Sequence, residues 1–290
     1  MNFNIVVLAK QVPDTRNIGK DAMKANGTVN RAALPAIFNP EDLLALEQAL
    51  RIKDQNPNSI ITVLTMGPIR AANILRDALF RGADRGVLVT DKKFAGSDTL
   101  ATSYVLSLAL KKLKPFDIVL CGRQAIDGDT AQVGPQVAEK LKIPQITYVE
   151  DILEVKKAHL ICKRRLSNGV ETLKGSLPIL LTVHGSAATC RTQHAKRIMK
   201  YKHAATPSEL QHEREDYIQM HDQKHYLDLE EWDVDDLKAE VSYLGLSGSP
   251  TKVNAVTNIV FTAKESRVLM PTDEAIDELM AELVSHHNLG

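Results

Sequence analysis

The chain has 290 residues with 36 acidic and 36 basic side chains, so its formal net charge is zero. That balance excludes the basic footprint of a nucleic-acid binder or a membrane-surface protein and leaves a small polar ligand or a protein partner. The length suits one large α/β core with an extension, and Cys121, Cys162 and Cys190, with no C-x-x-C pair, fit neither a disulfide framework nor a zinc site.

The chain enters a strand-like run at once, over 5–9, with no basic leader or membrane-length apolar stretch, so a cytoplasmic protein without membrane insertion is expected. Further apolar runs follow over 60–65, 86–90, 117–121 and 145–149, separated by helix-length segments. Such alternation predicts right-handed βαβ crossovers and an α/β fold with a doubly wound, mainly parallel sheet. Asn39-Pro40-Glu41-Asp42 is a helix start, with Asn39 as cap, and Leu43, Leu44, Leu46, Leu50 and Ile52 form the stripe behind it. A second helix follows Met66-Gly67-Pro68 and carries Ile69, Ile74, Leu75, Ala78 and Leu79; a third begins near Asp98-Thr99; a fourth ends near Lys140.

After residue 150 the period changes. Runs over 151–160 and 161–173, turning at Asn168-Gly169, predict an antiparallel hairpin, and 177–183 one more buried strand. From about Thr189 the chain is basic, and over 207–224 it is polar and rich in histidine, which suggests a solvated surface insertion. His221 and His225 stand four apart with His212 nearby, but no carboxylate-histidine motif surrounds them, so no metal is assigned. A closing helix over 272–283 should dock through Ile276, Met280 and Leu283.

In an open parallel sheet, ligands bind beyond the carboxyl ends of the strands. That directs attention to the turns after residues 8, 65, 90 and 122. None carries G-x-G-x-x-G or a P-loop signature. The last turn reads Gly122-Arg123-Gln124-Ala125-Ile126-Asp127-Gly128-Asp129-Thr130-Ala131-Gln132-Val133-Gly134-Pro135 and offers three glycines, a hydroxyl and the amides of a helix start. On local chemistry it serves equally as an anion site, with Asp127 shaping the loop, Asp129 capping it and the amides of 128–132 meeting the ligand, or as a capped turn with no ligand. Cys121 at a strand end is a small buried residue sooner than a nucleophile.

Four motifs in order resemble the β (small) subunit of electron transfer flavoproteins: Lys10-Gln11-Val12-Pro13-Asp14-Thr15, Asn39-Pro40-Glu41-Asp42, the 122–135 turn, and the 244–251 run Leu-Gly-Leu-Ser-Gly-Ser-Pro-Thr. The resemblance implies a sheet related to the adenine nucleotide alpha hydrolase-like folds, paired with an α subunit that carries a flavin in a mobile domain. It implies an adenine nucleotide lined by Leu8, Ala9 and Lys10, closed at the adenosine end by Asn39 and Asp42, with Met66 nearby and Gly122 to Val133 around the phosphates. Ala95-Gly96-Ser97-Asp98-Thr99-Leu100-Ala101-Thr102-Ser103 is similar to the electron-bifurcating type, in which Asp98, Thr99 and Thr102 mark a helix start that supplies hydroxyls to a second FAD. The bland reading of those residues is a cap and an interior threonine bonded to its own backbone.

The implied activity is hydride acceptance from NADH as transient substrate. One electron then goes through the α-subunit FAD to a partner FAD-dependent dehydrogenase, the other to ferredoxin or flavodoxin. No catalytic side chain is required. The alternative is a non-bifurcating subunit in which a structural AMP replaces FAD and the chain scaffolds the α-subunit flavin domain; a stand-alone adenine-nucleotide sensor or hydrolase is a third reading. The expected organisation is a nucleotide-binding α/β domain over 1–188 including the hairpin at 151–175, a partner-docking region over 189–206, and an insertion and arm contacting the α subunit over 207–290. Arg191, Ala195, Ile198 and Met199 are the docking candidates. Ala195 stands where the family often has a leucine anchor, which points away from an acyl-CoA dehydrogenase and towards a lactate-type partner.

Overall fold

The computed structural model describes residues 1–14, 35–211, 213–251 and 268–286; Thr15 of the first motif and His212 lie outside them. In chain order the strands are β1 (Asn4–Ala9), β2 (Gln11–Pro13), β3 (Ala36–Phe38), β4 (Ile60–Met66), β5 (Arg85–Val89), β6 (Ile118–Gly122), β7 (Gln145–Val155), β8 (His159–Leu166), β9 (Gly169–Ser176), β10 (Ile179–Val183) and β11 (Glu230–Trp232). The helices are α1 (Pro40–Gln55), α2 (Ala72–Arg81), α3 (Thr99–Leu113), α4 (Val133–Leu141), α5 (Ala195–Tyr201), α6 (Pro207–Leu210), α7 (Glu215–Gln223) and α8 (Asp273–Ser285).

A nine-stranded sheet in the order β11-β5-β4-β1-β6-β10-β7-β8-β9 forms the frame, parallel from β11 to β7 and antiparallel beyond. This is the expected α/β architecture. The central strands read as near-continuous apolar runs because both faces are covered; every residue of β6 and β10 is buried. One core contains α1 and α2 residues such as Leu46 and Leu75, the other contains Val105, Leu110 and Val137 of α3 and α4. Chain order runs from β1 outward through β4 and β5, then returns through α3 to β6 on the other side of β1. The crevice of a doubly wound sheet lies at that reversal.

Several local expectations change. Asn39 precedes α1 but makes no side-chain cap, and Pro40, Glu41 and Asp42 alone mark the start. The Ile69–Ala71 segment is a short 3-10 turn, so α2 begins at Ala72 and Ile69 stays 45% exposed. Residues 151–155 continue β7 and pair antiparallel with β8, so two successive hairpins form, β7–β8 and β8–β9, the second with Leu166 opposite Gly169 at the predicted turn. The short ribbon of β2 and β3 had no signal in the sequence, since three residues carry no readable period.

Most of the described residues of 207–228 are exposed, as expected of a surface insertion, yet the segment is anchored to the core. His221, Leu227 and Leu229 are buried, Arg76 of α2 bonds Glu209 at 2.9 Å twice and the Ala204 carbonyl at 2.9 Å, and β11 then covers the β5 edge. His221 gives its two ring nitrogens to Asp228 (2.8 Å) and the His203 carbonyl (2.9 Å), a structural use that its spacing from His225 did not suggest. By contrast α8, capped by Thr272, buries none of its residues, and Ile276 and Met280 are 52% and 46% exposed. It does not dock on the described residues of this chain.

Gly134 is where α4 meets the sheet. A Cβ there would lie 2.8 Å from Thr182 Cγ2 and 2.9 Å from Cys121 Sγ, both in closely packed strands. Gly134→Val is therefore expected to lose about 2 kcal/mol or more of stability from overpacking, measured by urea denaturation.

Candidate functional site

The carboxyl ends of β1, β4, β5 and β6 open into one cleft of about 920 Å³. Its walls are the turns after those strands and the starts of α3 and α4. Of the residues singled out from the sequence, Leu8, Ala9, Lys10, Asp42, Met66, Asp98, Thr99, Thr102, Gly122 to Ala125 and Asp127 to Val133 line it. Asn39 and Ile126 do not.

Asn39 is fully buried and acts from behind. Its Nδ2 donates to the Gln124 carbonyl at 2.9 Å, and its Oδ1 accepts from the Ile126 amide at 3.2 Å. Both ends of the side chain are thus spent on holding the 124–126 loop, which explains why it neither caps α1 nor lines the cleft. Asp42, in the first turn of α1, is the matching clip. Its Oδ2 accepts from the Lys10 amide (2.9 Å) and its Oδ1 from the Gly122 amide (2.8 Å), joining the ends of β1 and β6. Burial pushes its pKa up to about 7 against those amide bonds. Gly122 must be glycine because a Cβ would sit 2.6 Å from Asp42 Oδ1 and 2.8 Å from the Glu41 backbone carbon.

The two aspartates of the loop have separate partners. Asp127 accepts both bonds of Lys10 Nζ at 2.8 Å, so the loop is tied to the first turn, as its shaping role anticipates. Asp129 does not cap α4: it accepts from Gln124 Nε2 at 2.8 Å, and the residue at the cap position is Gln132. Asp129 and Ala131 adopt left-handed backbone, φ 49° and 53°. For alanine this costs about 1 kcal/mol, and such strain concentrates at binding sites because it turns successive amides to one side. The amides of Gly128 and Asp129 bond to the Ala125 carbonyl, so those with no partner among the described residues begin at Thr130, later than the sequence suggested.

Asp98, on the cleft wall, is a cap and a brace. Its Oδ1 accepts from the Leu100 and Ala101 amides, and its Oδ2 accepts from Thr251 Oγ1 (2.6 Å) and the Thr251 amide (3.1 Å). Burial works against its charge, but these bonds outweigh it and hold the carboxyl below the usual range. The 244–251 motif therefore serves the α3 start: Ser249 Oγ accepts from the Asp98 amide at 2.8 Å and donates to the Gly245 carbonyl at 2.6 Å. Thr99 and Thr102 both face the cleft, and Thr99 Oγ1 donates to Gln132 Oε1 at 2.9 Å, linking the two helix starts.

Arg123 points along the wall towards Tyr148. Burial lowers its pKa, yet Glu41 at 3.1 Å more than compensates and raises it overall. Tyr148, itself at φ 60°, stacks on His184. The Cys121 thiol is driven up by burial first and by Asp42 and Glu41 second, which keeps it protonated and unreactive.

The docking candidates are divided. Arg191 is folded back, with Glu47 at 2.9 Å and Asp54 at 2.7 Å, so it is not a free contact. Ala195 opens α5 at the surface, Ile198 is partly buried, and Met199 is 66% exposed. The turns after β4 and β5, to which the sequence reading directed attention, line the outer part of the cleft through Gly67 to Arg70, Thr90 to Lys92 and Phe94 to Ser97, although none of these but Gly67 was quoted as a binding residue.

No helix among the described residues is long and apolar enough to cross a membrane. Residues 26–208 match the electron transfer flavoprotein domain family. Over 285 residues the chain is 40% identical to the electron transfer flavoprotein subunit beta of Clostridium acetobutylicum, which covers 98% of this chain and 99% of that protein. It is 52% identical over 181 residues to the caffeyl-CoA reductase-Etf complex subunit CarD of Acetobacterium woodii, 62% of this chain and 68% of that protein. Over 182 residues it is 50% identical to the acryloyl-CoA reductase electron transfer subunit gamma of Anaerotignum propionicum, 62% and 67% of the two chains. The cleft at the β1/β6 reversal thus sits in a chain that belongs to the electron transfer flavoprotein family, as a β subunit.

Proposed function

We propose that the cleft holds FAD in place of AMP, and that the chain works as the β subunit of a bifurcating electron transfer flavoprotein, paired with a flavin-carrying α subunit. The observation that carries this reading is the extent of the cleft. AMP has one phosphate and no second ring system, so it would use the adenosine end and the phosphate loop and leave the lobe beside Thr90 to Ser97 unfilled. At about 920 Å³ the cleft lies near the top of the roughly 300–1,000 Å³ range of small-molecule sites, which suits a dinucleotide.

In this reading the amides from Thr130 onward hold phosphate oxygens, Asp42 and Asn39 fix the two turns, and Thr99 and Thr102 meet the extended end of the cofactor. Bound there, FAD supplies acceptance of a hydride from NADH and separation of its two electrons, one to the α-subunit flavin and a partner dehydrogenase, the other to ferredoxin or flavodoxin. The protein contributes position and electrostatics. The exposed Ile276 and Met280 face of α8 is the arm for the α subunit. On the docking side Ala195 gives no apolar anchor, whereas Met199, one turn on, does. The names of the two CoA-reductase relatives favour a partner acting on CoA thioesters; the alanine favours a lactate-type dehydrogenase.

The test is to denature the co-expressed αβ complex and quantify released nucleotides by chromatography. Two FAD and no AMP per heterodimer is the expected result; one FAD and one AMP would leave this chain a structural and docking subunit. Thr99→Ala combined with Thr102→Ala is expected to lower β-site FAD several-fold while the thermal midpoint moves by only a few degrees, since both residues line the cleft and lie outside the buried core. Unchanged FAD retention would remove the α3 start from the site.

A further inference from the structure

One wall of the outer part of the cleft is made by the loop at 94–98 and the first turn of α3. It is fastened by a segment from much later in the chain, the 244–251 run. Leu244, 1% exposed, is buried in the same core as Val105 and Leu110 and fixes one end of that run. Gly245 then takes left-handed backbone, φ 56°, and passes so close to the loop that a Cβ would lie 2.5 Å from the Lys93 carbonyl oxygen and 2.9 Å from that of Ala95. The buried Ser249, 151 residues beyond Asp98, accepts from the Asp98 amide at 2.8 Å and donates to the Gly245 carbonyl at 2.6 Å. Thr251 gives its hydroxyl and its amide to Asp98 Oδ2, while Asp98 Oδ1 caps α3 through the Leu100 and Ala101 amides. Neither Ser249 nor Thr251 lines the cleft.

The other end of the cleft is fixed by different bonds. Asp42 joins the Lys10 and Gly122 amides, and Asn39 holds the 124–126 loop, with no part of the 244–251 run involved in either. A single side-chain bond, Thr99 Oγ1 to Gln132 Oε1 at 2.9 Å, ties the α3 start to the end of the phosphate loop. With the later segment released, that bond would leave the α3 start anchored on the phosphate-loop side alone, and the space between the two walls would no longer be fixed.

We propose that Ser249 and Thr251 are positioning residues that select a dinucleotide over a mononucleotide in this cleft, by holding the α3 start and the 94–98 loop back from the phosphate loop. The inference rests on the flavin reading above and deepens it by naming the element that makes the choice. Selection is a difference of two affinities. A pre-formed outer part spares the larger ligand the cost of ordering that wall and gives nothing to AMP, which ends at the phosphate loop.

The experiment uses the co-expressed αβ complex, with FAD and AMP per heterodimer quantified by chromatography after denaturation and the thermal midpoint followed on the same samples. Ser249→Ala combined with Thr251→Val is expected to lower β-site FAD several-fold and to gain AMP in its place, while the α-subunit FAD stays. Thr251→Ser keeps the hydroxyl on Asp98 and should retain FAD at the parent level. If the double variant does not assemble, Thr251→Val alone decides: this residue is exposed and keeps its amide bond to Asp98, so the same exchange is expected to a smaller extent. Unchanged FAD and AMP contents in the variants overturn this assignment and leave the flavin reading standing. Loss of FAD with no AMP gained also overturns it, because the run would then support the whole cleft and not its outer part. One FAD and one AMP in the parent complex overturns both readings, since no dinucleotide is then selected.

Discussion

Gly128→Leu should leave the chain folded and strip the nucleotide from the β site. A Cβ built at Gly128 meets no protein atom within 4 Å, and its φ is not in the left-handed range, so the protein itself can accommodate a side chain. The same position lines the cleft immediately before the unpartnered amides, so a branched side chain there takes the space a phosphate needs. The expected result is a fall of more than tenfold in bound adenine nucleotide, read by chromatography, with the urea midpoint of the complex shifted by no more than loss of the ligand explains. Full occupancy in this variant would mean that the phosphate loop is misplaced. Gly134 and Gly122 are poor probes of the same question, because a Cβ at either collides with packed atoms and unfolding would mask any effect on binding.

Asp42→Ala is expected to damage both stability and binding. The change leaves the amides of Lys10 and Gly122 without their acceptor inside the protein, and each buried unsatisfied amide costs roughly 1–3 kcal/mol, so a loss of about 3 kcal/mol is anticipated. Because those amides fix the turns after β1 and β6, nucleotide occupancy should fall with it. A normal stability in urea would show that the carboxylate is not the clip the geometry describes. The same residue makes stability depend on pH. Its carboxyl is raised from 3.8 to about 7 by burial, so between those values the folded chain holds a proton that the unfolded chain has released. Stability from this group is therefore greatest at low pH, falls as pH rises from about 4 to about 7, and levels off above that. At about 1.4 kcal/mol per pH unit the change amounts to about 4 kcal/mol at most. Asp42→Asn removes the titration, so the parent protein should lose stability relative to this variant across that window. A constant difference between the two from pH 4 to 8 would contradict the buried placement.

Strand order along the chain, the starts of α1, α3 and α4, the turns that line the cleft and the family were legible in the residues alone, because these are local signals. β4, β5 and β6 announce themselves as apolar runs, α1 by Pro40 with two acids behind it, and the turn after β6 by its glycines. Where polar side chains spend their hydrogen bonds was settled only by the packed chain. Asn39 looks like a helix cap and instead holds a loop 85 residues away; Asp98 caps α3 and also braces Thr251; Arg191, read as a docking residue, is paired twice. Each of these partners is distant in the chain and has no spacing rule to reveal it. The anchoring of the polar 207–228 segment was hidden for the same reason, since Arg76, which holds Glu209, belongs to α2. The outer part of the cleft exists only because β4 and β5 lie side by side. Parallel neighbours join residues far apart in sequence, so only the assembled sheet brings those turns to one cleft.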